Sequence, residues 1–162
     1  VGCGLEGMQL GRLNGFKSAL AASGITLSDA MVRNVSDTVA GGHEATDALL
    51  EQHPDITAIF CTNDLMAYGA SQALADRGIR IPQDISIIGI TDIQLARDMR
   101  PALTTVALGI EQVARSSRWG ISAISINLLL DLIEDATHEP TIVHVPDPLL
   151  VVRSSTGPVR GT

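Results

Sequence analysis

Three glycines near the start of the chain have the spacing of a turn that holds a pyrophosphate. Gly2, Gly4 and Gly7 match the dinucleotide-binding pattern, in which backbone N–H groups and a helix N-terminus face the phosphates. That turn requires a strand before its first glycine, and only Val1 precedes it here. A dinucleotide-binding enzyme is therefore an alternative interpretation that we do not adopt.

The residue types that most often perform catalysis or bind metals form no recognisable constellation. Cys61 ends an apolar run in which a thiol normally packs as a small hydrophobe, and no Gly-x-Ser-x-Gly nucleophile turn occurs. Asp64 and Asp92 could pair for acid–base catalysis, but a helix-start acid and a loop residue are the simpler interpretation. The histidines, which lack the spacing of metal ligands, are His43, His53, His138 and His144. We predict no catalytic residue, no metal and no cofactor.

The composition is that of a globular domain with an acidic surface. The 162 residues are 45% hydrophobic and 18% charged, and aromatic residues make up only 2%. The net charge is −7 and Lys17 is the single lysine, so the chain lacks the clustered positive charge that nucleic-acid binding needs. No apolar run reaches the roughly 20 residues of a membrane-spanning helix.

Short β-rich runs alternate with amphipathic runs of helical period, which indicates helices packed on a parallel sheet. The predicted helices cover residues 7–23, 41–52, 64–77 and 110–135. The predicted strands cover residues 31–35, 57–61, 85–89, 103–108, 141–145 and 149–152. Because ligands bind beyond the carboxyl ends of parallel strands, the stretches 61–64 and 89–92 are the predicted site. We expect the tail, residues 154–162, to be frayed.

The most specific pattern in the chain extends from Phe60 to Val106. It contains Asn63-Asp64, Met66-Ala67, Gly69-Ala70, Ile81-Pro82, Asp84-Ile85-Ser86, Gly89 and Pro101-Ala102-Leu103-Thr104-Thr105-Val106. This string closely resembles the C-terminal half of LacI/GalR-type (lactose-repressor-like) bacterial transcription regulators. Residues 11–16 and 150–156 resemble the R-L-x-G-F helix start and the closing L-V-x-R-x-S-T of the same family, so the resemblance covers essentially the whole chain.

The resemblance implies an α/β fold similar to that of type I periplasmic binding proteins, with a parallel sheet flanked by helices. Such cores have two subdomains, and the chain crosses between them three times. Residues 1–102 would form most of the C-terminal subdomain and residues 103–136 would belong to the N-terminal subdomain. Residues 137–153 would return to the C-terminal subdomain, and residues 154–162 would be a tail. The family's helix-turn-helix DNA-binding domain is absent from this chain.

The resemblance also implies a set of ligand-binding residues. Arg12 and Asn63 match family residues that contact the ligand, whereas a solvated arginine and a pure helix N-cap are the alternatives from their residue types alone. Thr91 stands where the family has a ligand-binding aspartate. Asp37 stands where many relatives carry an aromatic residue that stacks on the ligand. These two departures put the family's usual ligand class in question.

A homodimer is implied as well, because in the family the helix after Asn-Asp lies at the dimer contact. The residues expected there are Tyr68, Met66 and Gln72. Packing in the core is the alternative for Met66, from its residue type.

The function implied is that of an effector-sensing and dimerisation module of a cytoplasmic LacI-type regulator. Its effector would be a carbohydrate or another small polar metabolite, and no membrane would be involved. Operator DNA would be bound only through the missing N-terminal head. The alternative is a periplasmic sugar-binding protein of an ABC-type transporter, which shares the Asn63-Asp64 motif.

Overall fold

The computed structural model describes residues 2–3, 8–109, 120–134 and 147–159. The helices are α1 (Met8–Ala22), a 3-10 turn (Asp29–Met31), α2 (Val39–Gln52), α3 (Asp64–Asp76), α4 (Gln94–Asp98) and α5 (Gly120–Glu134). The strands are β1 (Gly2–Cys3), β2 (Asn34–Val35), β3 (Ala58–Phe60), β4 (Ser86–Ile90), β5 (Thr104–Ala107) and β6 (Leu149–Val151). The predicted strand at 141–145 and the start of the predicted helix at 110 lie outside the described residues.

Parallel pairing dominates the sheet, as the alternation of strand and helix predicted. β1 and β2 form one parallel pair, and a four-stranded sheet has the order β3-β4-β5-β6. β4 pairs in parallel with both β3 and β5, with Ile59 opposite Ile87 and Gly89 opposite Thr105. The predicted α/β fold class is confirmed.

The predicted strand at 31–35 is shorter than expected. The paired strand comprises only Asn34 and Val35, because the 3-10 turn extends to Met31 and Val32, although its backbone is extended, closes that turn as its C-cap. The hydroxyl of Ser28 accepts a hydrogen bond from the backbone N–H of Ala30 at 3.3 Å and caps that turn. A serine side chain that satisfies its own backbone in this way competes with strand formation.

The chain divides into two units, one formed by residues 1–106 and 151–162 and the other by residues 107–150. In the first unit, β5 pairs with β4 and Leu103 is fully buried. The segment that leaves this unit begins at residue 107. In the second unit, α5 carries exposed apolar side chains, including Ile126, Leu129 and Ile133.

The core of the first unit lies between the sheet and the helices α2 and α3. Met66 and Leu74 of α3 are fully buried there, together with Ile87 of β4. The two helices approach so closely that a Cβ atom at Gly69 would lie 1.9 Å from the carbonyl oxygen of Val39. Such a contact is far inside van der Waals distance, so only glycine fits at this position.

α1 packs through its aromatic residue rather than through an extensive apolar face. Phe16 stacks on Phe60 of β3 with ring centroids 4.4 Å apart, and Leu13 is buried. The helix ends where the glycine signal predicted, since Gly24 has φ +75°. The backbone N–H of Ile25 then donates to the carbonyl of Leu20, which satisfies the helix end.

The prediction of a frayed tail is wrong at residues 154–157. Ser155 is 1% exposed, its hydroxyl donates to the carbonyl of Ile87 at 2.6 Å, and it accepts from the backbone N–H of Thr104 at 2.8 Å. The backbone of Gly157 is also hydrogen-bonded to Ser86. The segment is held because these groups satisfy backbone donors and acceptors at the beginnings of β4 and β5.

Residues 91–101, for which the sequence predicted neither a helix nor a strand, also pack against the core. This segment contains the short helix α4, from which Ala96 packs into the core, and Met99 after the helix packs into the core as well.

In the described part of the chain, no helix is long and apolar enough to cross a membrane.

Candidate functional site

Asn63 lies at the turn between β3 and α3, as the sequence predicted, and it performs the N-cap role. Its side-chain oxygen accepts a hydrogen bond from the backbone N–H of Met66 at 2.8 Å. Its side-chain nitrogen donates to the carboxylate of Asp37. Asn63 is 8% exposed and Asp37 is exposed, so the pair reaches from the turn to the surface.

Asp37 stands immediately before α2. Thr38 caps that helix by accepting from the backbone N–H of Gly41 at 3.1 Å. A carboxylate next to a helix N-terminus is favoured by the helix dipole. The negative charge of Asp37 therefore lies at the N-terminus of α2 and, through its hydrogen bond from Asn63, beside the N-terminus of α3.

Arg12 belongs to α1 and reaches the same turn from the other side. Its guanidinium donates to the backbone carbonyl of Thr62 at 2.7 Å, and the arginine is half-buried. Thr62 is itself 1% exposed. The structure therefore brings Arg12 and Asp37 to adjacent residues, 62 and 63, at the carboxyl end of β3.

Thr91 follows β4 in a backbone conformation that few residues adopt. Its φ is +121° and that of Asp92 is +51°, both in the region that favours glycine. Each such residue costs on the order of 1–3 kcal/mol and persists only where the surroundings hold it. The backbone N–H of Thr91 donates to Val106 at 2.9 Å, and its hydroxyl donates to Asp64 at 3.3 Å.

Asp64 is the acceptor beneath this site. Its carboxylate is fully buried and accepts from the hydroxyl of Thr105 at 2.6 Å and from the backbone N–H of Ile93 at 3.0 Å. Burial raises the pKa of Asp64, although these hydrogen bonds oppose the shift. A Cβ atom at Gly89 would lie 2.3 Å from this carboxylate, so the glycine makes room for it.

Asp92 is buried too, but two guanidinium groups neutralise it. Arg153 lies 2.5 Å and Arg97 2.9 Å from its two carboxylate oxygens. Burial opposes ionisation, yet the hydrogen bonds from Arg153 and Arg97 outweigh it and lower the pKa of Asp92. Asp64 and Asp92 therefore have separate hydrogen-bond partners.

The chain matches known proteins over most of its length. A model of the periplasmic binding protein-like domain matches residues 6–156. The chain is also 38% identical over 144 residues to the HTH-type transcriptional regulator GalR of Escherichia coli strain K12, an alignment that covers 89% of this chain and 39% of GalR. The chain is a periplasmic-binding-protein-like domain of the LacI/GalR type.

Further relatives of this LacI/GalR-type domain show the same relationship. It is 35% identical over 144 residues to the repressor PurR of Vibrio atlanticus strain LGP32, which covers 89% of this chain and 40% of PurR. A solved structure of the transcriptional regulator CelR in complex with cellobiose has a TM-score of 0.77 and 28% identity, covering 95% of this chain and 46% of that one. The chain thus spans about two fifths of the length of the curated relatives.

GalR is named as an HTH-type transcriptional regulator and PurR as an HTH-type transcriptional repressor. Two further features of this LacI/GalR-type domain concern a possible nucleophile and metal binding. Cys61 is fully buried, and burial raises the pKa of its thiol to about 11, so it packs in the core as a neutral thiol. Among the described residues, no group of three His, Cys, Asp or Glu side chains could hold a metal ion. Gly4 and Gly7 of the dinucleotide pattern, and also His138 and His144, lie outside those residues.

The expected dimer residues of the LacI/GalR-type domain have different surroundings. Met66 is completely buried in the core of this chain, so its side chain is not available to a partner and the core alternative is the correct one. Tyr68 is half-buried against that core, and Gln72 is exposed. Leu65, which the sequence did not single out, is 40% exposed on the same helix.

Proposed function

We propose that this chain is part of the effector-sensing core of a LacI/GalR-type transcription regulator, and that its effector is a small carbohydrate. The observation that carries the proposal is the convergence of Arg12, Asp37 and Asn63 on the turn after β3. The guanidinium contacts the carbonyl of Thr62, and the carboxylate contacts the amide of the next residue.

The chemistry of these three groups suits a neutral polyol. Arg12 supplies only donors, Asp37 supplies only acceptors, and the amide of Asn63 supplies both. Because a sugar hydroxyl both donates and accepts, it can satisfy each of these groups in turn. The cellobiose complex of CelR supports the carbohydrate class, since that relative has 28% identity over nearly the whole chain.

Thr91 completes the proposed contact set at the end of β4. The family aspartate at this position would place a second carboxylate beside the buried Asp64, whereas the hydroxyl of Thr91 donates to Asp64. Two neighbouring carboxylates would raise each other's pKa, so threonine relieves that repulsion. Asp37 then supplies the carboxylate that accepts hydrogen bonds from the effector.

We assign residues 1–106 and 151–162 to the C-terminal subdomain and residues 107–150 to the N-terminal subdomain of a two-subdomain core. Operator DNA would be contacted by a separate head segment, and the protein would act in the cytoplasm without catalysis. A homodimer would form through the outer face of α3, where Leu65, Tyr68 and Gln72 lie. Sedimentation of the chain with Gln72→Arg tests that face, because a charge placed there should weaken the dimer.

Backbone-amide NMR shifts of the chain, titrated separately with cellobiose, D-ribose and lactose, test the effector class. We expect one of these sugars to shift the amides of residues 37–38, 62–64 and 91–93. Arg12→Lys should reduce the affinity, because an ammonium lacks the planar fork of a guanidinium. Arg80→Gln is the control, since Arg80 pairs with Asp84 on the surface. Shifts scattered over the surface, or equal affinity in Arg12→Lys, would contradict the proposal.

A further inference from the structure

One buried carboxylate ties three separate segments of the chain together. Asp92 follows β4 in the loop that carries Thr91, and its carboxylate receives Arg97 from α4 and Arg153 from the segment after β6. The side chain of Asp92 is 5% exposed and that of Arg153 is 15% exposed. An ion pair so far from water is held by geometry rather than screened by solvent.

Arg153 extends this link to the beginning of β5. Its guanidinium donates to the carbonyl of Leu103 at 2.7 Å, in addition to Asp92. Its backbone N–H donates to the hydroxyl of Thr104 at 2.9 Å. The next residue, Ser154, donates its backbone N–H to Ala102 at 3.0 Å. A single side chain thus fixes the loop after β4 against the entrance of β5.

The segments that Arg153 joins are those that connect the two units of the chain. β5 leads out of the first unit after Val106, and the chain re-enters that unit at Val151. Leu103 and Arg153 lie only a few residues from these two points. The loop that carries Thr91 is therefore joined, through one ion pair, to both covalent connections between the units.

We propose that Asp92 is a positioning residue that transmits effector binding at Thr91 to both inter-unit connections through Arg153. The inference rests on the proposed function, because it takes Thr91 as an effector contact. An effector that shifts Thr91 moves the adjacent Asp92, and the guanidinium of Arg153, which is bonded to both Asp92 and the carbonyl of Leu103, carries that movement to the beginning of β5. Such coupling is reciprocal, so the state of the connections also sets the affinity of the effector site.

Hydrogen exchange of backbone amides tests this coupling, measured on the full chain alone and with cellobiose, D-ribose or lactose added separately. In the unaltered chain, the sugar should slow exchange at Thr104, Arg153 and Ser154 by at least about 5-fold, the lower range of known couplings. Asp92→Asn should abolish that slowing although the sugar still binds. Asp47→Asn is a matched control, since Asp47 also pairs with an arginine, at 2.7 Å, but between α2 and α3.

A second variant keeps the inference falsifiable where Asp92→Asn does not fold. Arg153→Lys retains the charge, but one ammonium has no planar fork with which to hold both Asp92 and the carbonyl of Leu103. It should therefore also uncouple the sugar from exchange at Thr104 and Ser154. Persistence of the full sugar effect in either folded variant would overturn the inference.

A failure of the proposed function can be distinguished from a failure of this inference. Hydrogen exchange measured without sugar tests the link between Asp92 and the distant amides by itself. Loss of Asp92 should speed exchange both at residues 91–93 and at residues 103–104 and 153–154. Exchange that rises only at residues 91–93 would overturn the coupling even where a sugar binds. If no sugar binds but the distant amides respond, the proposed function fails and the physical link stands.

Discussion

The hydroxyl of Thr105 donates a hydrogen bond of 2.6 Å to the carboxylate of Asp64, and both side chains are completely shielded from solvent. The two residues belong to different elements, β5 and α3. The second carboxylate oxygen accepts from the backbone N–H of Ile93 and the hydroxyl of Thr91. Asp64 is therefore the shared acceptor that fixes the loop after β4 relative to the sheet.

Replacing Asp64 separates its hydrogen bonds from its charge. Asp64→Ala leaves the donors of Thr105, Ile93 and Thr91 without their acceptor, and we expect a loss of about 3 kcal/mol or more in the free energy of unfolding. Asp64→Asn retains the shape and one acceptor oxygen, so its cost should be about 1–2 kcal/mol. Urea denaturation measures both values. Equal costs for the two variants would show that the hydrogen bonds are not what matters.

The unaltered chain and Asp64→Asn together test how the free energy of unfolding depends on pH. Because burial raises the pKa of Asp64 above its ordinary value of 3.8, the folded state holds this proton at pH values where the unfolded chain has released it. The contribution of Asp64 to stability is then complete below pH 3.8 and declines as pH rises through the folded pKa. The stability gap between the unaltered chain and Asp64→Asn should therefore narrow from acid to neutral pH. A gap that widens would contradict the raised pKa.

The close approach of α2 and α3 gives a test at Gly69. The added methyl group of Gly69→Ala would meet the carbonyl oxygen of Val39 and force the helices apart, at a cost of about 2–3 kcal/mol. Gly15→Ala is the matched control, since its Cβ atom in α1 would have no neighbour within 4 Å. That change should instead stabilise the chain by about 0.5–1 kcal/mol. Thermal unfolding of both variants shows whether the two effects have opposite signs.

The sequence could predict features that depend on neighbouring residues. Asn63 caps α3 through an acceptor three residues before its donor, a relationship visible in the order of residue types. The strand positions followed from apolar runs for the same reason. Asp64, however, finds Thr105 41 residues away, and Ser155 finds Ile87 68 residues away. Contacts of that separation depend on how the strands assemble, which no local pattern records.

The residues of the proposed ligand site show the same difference between local features and contacts of long sequence separation. The family resemblance drew attention to Asp37 and Asn63 separately, as residues that each face a ligand. That the two side chains bind each other follows only from the packing of α2 beside α3. The neutralisation of Asp92 by Arg153 was hidden likewise, because the two residues lie 61 positions apart in the sequence.

Ser155 provides a test of how firmly that tail is held. Its hydroxyl donates to the carbonyl of Ile87 and accepts from the backbone N–H of Thr104, and all three residues are buried. Ser155→Ala should therefore cost about 2–3 kcal/mol, since a buried N–H and a buried carbonyl each lose a partner. Ser154→Ala is the control, because this exposed residue is bound through its backbone N–H and should change stability by less than about 0.5 kcal/mol. Similar costs for the two serines would show that the tail is not anchored through Ser155.

Asn63 allows its structural role to be separated from its proposed ligand role. Asn63→Ala removes the cap of α3 and should cost about 1 kcal/mol in the free energy of unfolding, whereas Asn63→Ser keeps a capping oxygen and should cost little. Both variants lose the amide that contacts Asp37, so both should bind a sugar more weakly if that amide contacts the effector. In unfolding and sugar-titration experiments, Asn63→Ala and Asn63→Ser should therefore differ in the free energy of unfolding, whereas both should bind the sugar more weakly. Full sugar affinity in a stably folded Asn63→Ser would leave Asn63 with only its capping role.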